Sequence, residues 1–336
     1  MMRESSAVRL SICIATYNRA DVIGETISAI LPQLQDGVEL LVVDGASPDA
    51  TDAVVGALFA GRSDCRYVRL AGKGGVDRDY CIAVEQARGD HCWLMTDDDL
   101  LKPGAVESVL RSLRDGPDLV VVNVEVAGPD LRTTLLPRKL RISRDRQLGP
   151  AQQEELLALA GDLLSFIGSV VVRRAVWRSR DASPYIGTEF VHVGMIFQAP
   201  LQGGARVLAE PLVRIRYGRA AWSARAFDIW MFRWPALIWG LPGFGAAARE
   251  AVTPREPWRR MTRLATMRAQ GCYDLEEYRR RLRPLAMGPL ARLKVLAVAA
   301  APDVVFRAAM KLLSFLRPHE RRMMLFELRR SRTIAR

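Results

Sequence analysis

Histidine is scarce in this chain, with three among 336 residues. Cysteine is sparse as well: Cys13, Cys65, Cys81, Cys92 and Cys272 lie far apart, and no CxxC pair occurs. That scatter excludes a disulfide framework and a zinc-ribbon pattern, and it fits a reducing cytosol. No uninterrupted apolar run reaches the ~18–20 residues that a spanning helix needs. The opening MMRESSAVRLSICIATYNR holds no apolar stretch of signal-peptide length before polar residues return. A cytoplasmic protein is therefore expected. No GxGxxG follows the first strand-like segment, and the phosphate-loop pattern GxxxxGK[ST] is missing, which disfavours classical dinucleotide and P-loop binding. Internal repeats and low-complexity tracts are absent too.

What is present suits a packed core: 49% of residues are hydrophobic and 26% charged. The formal net charge of +12 is unevenly spread. Residues 217–336 hold 24 Lys and Arg against 9 Asp and Glu, a net +15, so the preceding 216 residues carry −3. A basic segment of this kind suits anionic lipid or nucleic acid equally. No nucleic-acid recognition module is visible, so nucleic acid is not expected as a partner.

The first 126 residues alternate strand and helix signals. Leu10 to Ala15 is a short apolar run ending at a polar Thr-Tyr-Asn-Arg turn; Ile23, Ile27, Ile30 and Leu31 then mark one helix face. Further strands are predicted at Glu39 to Val43, Arg66 to Leu70, His91 to Met95 and Leu119 to Val126. Helices are predicted after Ser47-Pro48-Asp49, after the Gly72–Gly75 loop and from Pro103. Later segments predict a helix at Gln152 to Leu159, strand-like character at Leu163 to Val172, and a strand pair or edge at Val207 to Tyr217. The βα rhythm predicts an α/β fold with a mostly parallel sheet between helices. Ligands in such sheets bind beyond the carboxyl ends of the strands. Two domains are expected: a catalytic one over 1–219 and a basic helical region over 220–336.

The polar residues at the strand ends are the candidates for chemistry. Asp97, Asp98 and Asp99 offer hard oxygens for Mg²⁺ or Mn²⁺ at the phosphates of a donor; as an isolated cluster they also fit an acidic helix N-cap. Asp44 can accept a bond from a pyrimidine, or simply form an Asp-Gly turn. Thr16, Tyr17, Asn18 and Arg19 follow the first strand, where Tyr17 and Asn18 can flank a base and ribose, or Asn18 can cap a helix. In the loop Lys73 to Arg78, Gly75 gives flexibility, Lys73 and Arg78 can touch phosphate, and Asp77 can touch base or ribose. Glu189 and His192 are the acid/base pair late in the expected catalytic domain, where single displacement needs one general base. His192 can instead ligate metal, and a buried structural histidine beside a surface glutamate is the plainer reading. Trp222, Phe227, Trp230, Phe232, Trp234 and Trp239 crowd with Arg225 and Arg233, and Leu290 to Leu316 reads as helix with Arg292, Lys294, Arg307 and Lys311. Arginines beside tryptophans suit a membrane interface; a helical cover with buried tryptophans is the alternative.

Three blocks in order resemble the family 2 inverting glycosyltransferases of the A-type fold. SICIATYNRADVIGETISAIL is similar to their opening VSVVIPTYNR and helix. ELLVVDGASPDAT is similar to VVDDGSTDGT, and WLMTDDDLLKPGAV to the metal-binding DxDD segment. The stretch from Gly74 to Leu101 is most similar to the abequosyltransferase-like branch of O-antigen enzymes. The resemblance covers roughly residues 8–220. It implies transfer from a nucleotide-linked sugar to an acceptor hydroxyl with inversion: Asp44 reading the pyrimidine, Asp98 and Asp99 holding Mg²⁺ or Mn²⁺, Glu189 activating the acceptor. If the Arg- and Trp-rich last third meets a membrane, such an enzyme is expected to act peripherally at the inner face of the plasma membrane on a glycan or lipid-linked glycan acceptor in cell-surface polysaccharide synthesis. The chain departs from the pattern in having Thr96 where the first aspartate stands, Gly45-Ala46-Ser47 for Asp-Gly-Ser, and Glu189-Phe190 for Glu-Asp. Two other readings remain: a nucleotidyltransferase-like enzyme of similar topology, and an inactive binding or scaffold protein of the same fold.

Overall fold

The computed structural model describes residues 8–218 and 225–334, so Trp222 lies outside the described residues. Two compact units make up the chain: residues 1–126, 137–216 and 241–252 form the first, and 127–136, 217–240 and 253–336 the second.

The first unit opens with the expected alternation: β1 (Leu10–Thr16), α1 (Ile23–Ile30), β2 (Val38–Asp44), α2 (Thr51–Phe59), β3 (Cys65–Arg69), α3 (Val76–Gln86) and β4 (His91–Met95). β2 is buried along its whole length, as a parallel strand covered on both faces should be. α1 buries Ile23, Ile27 and Ile30, spaced to share one face. β5 (Leu100–Leu101), α4 (Ala105–Ser112) and β6 (Leu119–Ala127) follow. β7 (Thr134–Leu136) belongs to the second unit. The first unit resumes with β8 (Arg146–Leu148), α5 (Gln153–Ala160), β9 (Val170–Arg173), α6 (Arg174–Arg178), α7 (Val191–Phe197) and β10 (Ala205–Arg216).

The sheet runs β3-β2-β1-β4-β9-β6-β10-β5. β3, β2, β1 and β4 are parallel, whereas β9 is antiparallel to β4 and β6, and β10 is antiparallel to β5 and β8. In register, Thr16 faces Asp44 and Asp44 faces Arg69, so the polar ends of three neighbouring strands share one rim.

Two segments differ from expectation. Leu163 to Ser169 forms two 3₁₀ turns before β9 begins at Val170. Ser165 and Ser169 donate their hydroxyls to the carbonyls of Asp162 and Phe166, closing turns that compete with a strand ladder. Where a strand pair or edge is expected over Val207 to Tyr217, Ala205–Arg216 is one long strand, paired on both sides.

The 241–252 segment, with α10 (Ala246–Val252), packs in the first unit. Gly245 N–H donates to Glu154 at 2.6 Å, and the Phe244 ring meets Phe197 edge-on at 5.4 Å.

The second unit is helical after β7. α8 (Ala226–Asp228) runs through a π turn into α9 (Trp234–Gly240). α11 (Met261–Ala269), α12 (Leu275–Glu277), α13 (Pro289–Ala300), α14 (Asp303–Phe315) and α15 (Arg321–Ile334) follow. The single helix expected over Leu290 to Leu316 is broken at Ala301-Pro302, because Pro302 holds Ala301 extended. The core gathers Phe227, Trp258, Leu264, Tyr273, Leu282 and Val295. Phe227 stacks on Tyr273 at 4.9 Å, and the Tyr273 hydroxyl donates to Val295 O. Trp234 and Trp258 are buried and Trp230 and Trp239 partly so, which makes these rings core material rather than an exposed belt.

Candidate functional site

The rim at the carboxyl ends of β1, β2 and β4 gathers most of the candidate residues. After β1, Thr16 accepts the Gly45 N–H through its carbonyl at 2.9 Å. Asn18 takes a left-handed φ of 58° and donates its N–H to Ser47 Oγ. The N–H groups of Arg19 and Ala20 reach Thr51 Oγ1 and Asp49 Oδ2. The short polar residues after β2 thus fasten the loop after β1. Tyr17 is half-buried, with Lys73 Nζ 3.9 Å from its ring centroid.

Asp44 is fully buried. Its Oδ1 accepts from Ser47 N and Oγ, and its Oδ2 accepts from the Tyr67 hydroxyl with Arg69 3.6 Å away. Both oxygens are therefore engaged within the protein. Beside it lies Asp79, a residue that sequence reasoning passed over. A Cβ on Gly45 or Gly74 would come within 2.9 and 2.8 Å of the Asp79 carboxylate, so these two glycines make room for it. Asp79 Oδ1 is buried without a hydrogen-bond partner. Burial and then the Asp44 charge push its pKa up to about 6, with Lys73 opposing.

After β4 comes the acidic triplet. Thr96 donates its hydroxyl to Asp99 Oδ2, and Arg216 N donates to Asp99 Oδ1 at 2.7 Å. Arg216 Nε donates to the Asp98 carbonyl, and its Nη2 pairs with Glu25. Arg19 Nε sits 3.4 Å from Asp97 Oδ1. Burial, then the Asp98 charge, raises Asp97 to about 7 and Asp99 to about 8; burial also raises Asp98, against the pull of Arg19 and Arg216. Among the described residues, two guanidiniums, one already paired with Glu25, thus serve three crowded carboxylates. Such a donor set suits a hard divalent cation held by one or two carboxylates and by substrate phosphates. No group of three or more metal-ligating side chains is found among the described residues.

α3 opens at Gly75, whose φ of 90° lies in the region that favours glycine. Asp77, in the first turn, is buried and clamps a distant loop. Its carboxylate accepts the N–H groups of Gly187 (2.8 Å), Glu189 (2.9 Å) and Val191 (3.1 Å). Burial raises its pKa, and these backbone bonds oppose that rise. Glu189 is half-buried with a left-handed φ of 72°. A glutamate in that conformation is strained by ~1–3 kcal/mol and persists only where neighbours hold it. His192, one turn on, is buried; its Nε2 lies 2.7 Å from Leu164 O, and burial lowers its pKa to about 4. It is a neutral core imidazole. Arg78 is exposed and, among the described residues, joins none of these bonds.

A parallel sheet half with a crowded acidic cluster at its carboxyl rim, extended by antiparallel strands, is the glycosyltransferase A architecture. Residues 11–176, just under half of the chain, match the model of Glycosyl transferase family 2. The abequosyltransferase RfbV of Salmonella typhimurium is 26% identical over 220 residues, covering 62% of this chain and 66% of that protein. The succinoglycan biosynthesis protein ExoO of Rhizobium meliloti is 29% identical over 208 residues, 60% of this chain and 58% of its own length. The chain thus spans a little under two thirds of these relatives. Among solved structures, S. aureus TarS residues 1–349 in complex with UDP superposes with a TM-score of 0.59 at 14% identity, covering 96% of this chain and 91% of that one. At that identity the likeness concerns the fold.

Proposed function

We propose that this protein is a glycosyltransferase that moves a sugar from a nucleoside-diphosphate sugar to an acceptor hydroxyl, by metal-assisted single displacement with inversion. The acceptor class is a lipid-linked glycan of cell-surface polysaccharide synthesis. The observation that carries the reading is the crowding of three carboxylates, Asp99 buried and Asp97 and Asp98 half-buried, against fewer cations among the described residues, on the rim where Asp44 also ends its strand. Buried negative charge without full compensation is costly, and it is retained where a ligand cation completes it.

Asp98 and Asp99 are the residues that would hold Mg²⁺ or Mn²⁺, which when bound neutralises charge on the departing diphosphate. Thr96 and Arg216 orient Asp99, and Asp97 keeps Arg19 at the rim. The Tyr17 ring offers a face on which a base stacks, once Lys73 leaves it for phosphate. Thr16 and Asn18 shape the loop below that base, and Asp44 holds the two loops around the nucleotide. Glu189 takes the proton from the acceptor hydroxyl at its carboxylate as the new bond forms. His192 supports that loop from the core. In one displacement the acceptor arrives opposite the leaving group, which inverts the anomeric centre. The catalytic part is assigned to the first unit.

Purified protein incubated with UDP-, CDP-, GDP- and dTDP-sugars and Mn²⁺ tests this. Nucleoside diphosphate released faster with a lipid-linked glycan acceptor supports transfer. Pyrophosphate released in a parallel incubation with nucleoside triphosphates and sugar 1-phosphates would instead indicate nucleotidylation, and nucleotide binding without turnover a scaffold.

A further inference from the structure

Helix α14 is built inside out. Val304, Val305, Leu312, Phe315 and Leu316 are between 59% and 78% exposed, whereas Ser314 is fully buried and the Arg307 side chain is 13% exposed. On a helical projection at ~100° per residue, the exposed apolar positions fall within one sector about 120° wide. The opposite side carries Phe306, Arg307, Met310 and Ser314. Arg307 donates there to the carbonyls of Ala269 and Leu328, and Ser314 to that of Lys311. The inward side mixes Phe306 and Met310 with Arg307 and Ser314, whose polar atoms are taken up by internal bonds, while the outward apolar side meets water. α13, which packs on the same helix α11, exposes Leu290 and Leu293 as well. Every large hydrophobic residue that is strongly exposed among the described residues, apart from Val76, lies between positions 290 and 316. A contiguous exposed apolar face marks an interaction surface.

Charge identifies the occupant. Lys311 is exposed at one edge of the sector, and the Arg321 guanidinium lies 4.3 Å from the centroid of Phe315. Residues 289–322 hold seven Lys and Arg against two Asp and Glu. A second copy of this chain would bring like charge against like, while anionic headgroups complement it. The helix, at 13 residues, is about 20 Å long, short of the ~30 Å hydrocarbon core. No helix among the described residues is long and apolar enough to cross a membrane. We infer that the outward face of α14 docks in the plane of an anionic lipid bilayer, with Leu312, Phe315 and Leu316 below headgroup level and Lys311 and Arg321 among the phosphates. This surface owes nothing to the tryptophans, which are core.

The inference stands apart from the transferase reading, because binding to lipid needs no donor sugar. The full chain is sedimented with phosphatidylcholine vesicles and with vesicles containing phosphatidylglycerol, at low and high salt. Expected is binding to the anionic vesicles, weakened at least tenfold by Leu312→Glu with Phe315→Glu, and reduced by salt or by Lys311→Glu with Arg321→Glu. Equal binding of the Leu312/Phe315 variant and the parent overturns the proposal, as does a folded parent that stays in the supernatant when anionic vesicles are pelleted. A concentration-dependent dimer that Leu312→Glu abolishes assigns the face to self-association and also overturns it. Should the double variant fold poorly, Leu312→Cys carrying a polarity-sensitive dye keeps the test open: a blue shift on anionic vesicles supports docking, and an unshifted spectrum refutes it.

Discussion

The two units handle their awkward groups in opposite ways. The first buries charge: Asp44, Asp77, Asp79 and Asp99 all sit inside near one rim of the sheet. The second exposes oil: α14 turns its leucines and valines to water and its serine inward. Neither choice maximises the stability of an isolated chain, since buried charge costs several kcal/mol per ion before compensation and exposed leucine forgoes ~1.5–3 kcal/mol of burial. Local rules tend to be broken where function requires it. The comparison therefore sets the buried carboxylates of the first unit against the exposed apolar face of the second.

The comparison breaks most visibly at the acidic cluster. Asp99→Ala is expected to lower sugar transfer by at least ~10³-fold while circular dichroism and the melting profile stay those of a folded protein; near-normal turnover would remove the metal assignment. Next comes the clamp. Asp77→Ala should cost about 10–100-fold in kcat with donor KM little changed, because it frees the loop that carries Glu189. In a double-mutant cycle with Glu189→Gln the losses should fall well short of multiplying, since both changes remove one function; fully independent effects would sever the link.

Asp79 tests whether buried charge is a burden in the free protein. Its folded pKa of about 6 lies above the ordinary carboxylate value, so the unfolded chain releases its proton first as pH rises. Stability is then intact below about pH 4, declines through about pH 6 and stays reduced above it. Asp79→Asn should raise stability at pH 8 by about 1–2 kcal/mol and change nothing at pH 4, as urea titrations at the two pH values would reveal. His192 works the other way. Its folded pKa of about 4 lies below that of free imidazole, so stability should fall as pH drops from about 6.5 towards 4. His192→Gln should flatten that decline in the same titrations. The smallest effect belongs to the second unit: Leu312→Glu should shift stability by less than ~0.5 kcal/mol, as an exposed position allows, whereas Leu264→Ala in its core should cost ~2–5 kcal/mol.

Much of the fold was legible in the sequence. The strand signals at Leu10, Glu39, Arg66, His91 and Leu119 each became a strand within a residue or two of the expected ends, because a sheet strand is a short local run closed by polar turn residues. The rim position of Asp44 and Asp97 to Asp99 followed from the same reasoning. Leu163 to Ser169 misled because its apolar residues hid two serines that close turns. Asp79 left a faint signal, an acid two positions after Asp77 at a helix start, but its burial against Asp44 depends on how Gly45 and Gly74 approach it.

By itself, then, the sequence determined which stretches are strands, where they stop and which carboxylates stand at their ends, for periodicity and turn chemistry act over a few neighbouring residues. Only the tertiary structure decided the partners. Asp77 reaches across 110 residues to Gly187 and further to Glu189 and Val191, and Asp99 meets Arg216 from 117 residues away. It likewise decided that α14 would face its apolar side outward. A helical stripe specifies one face, and which face is covered depends on where the rest of the chain has already packed.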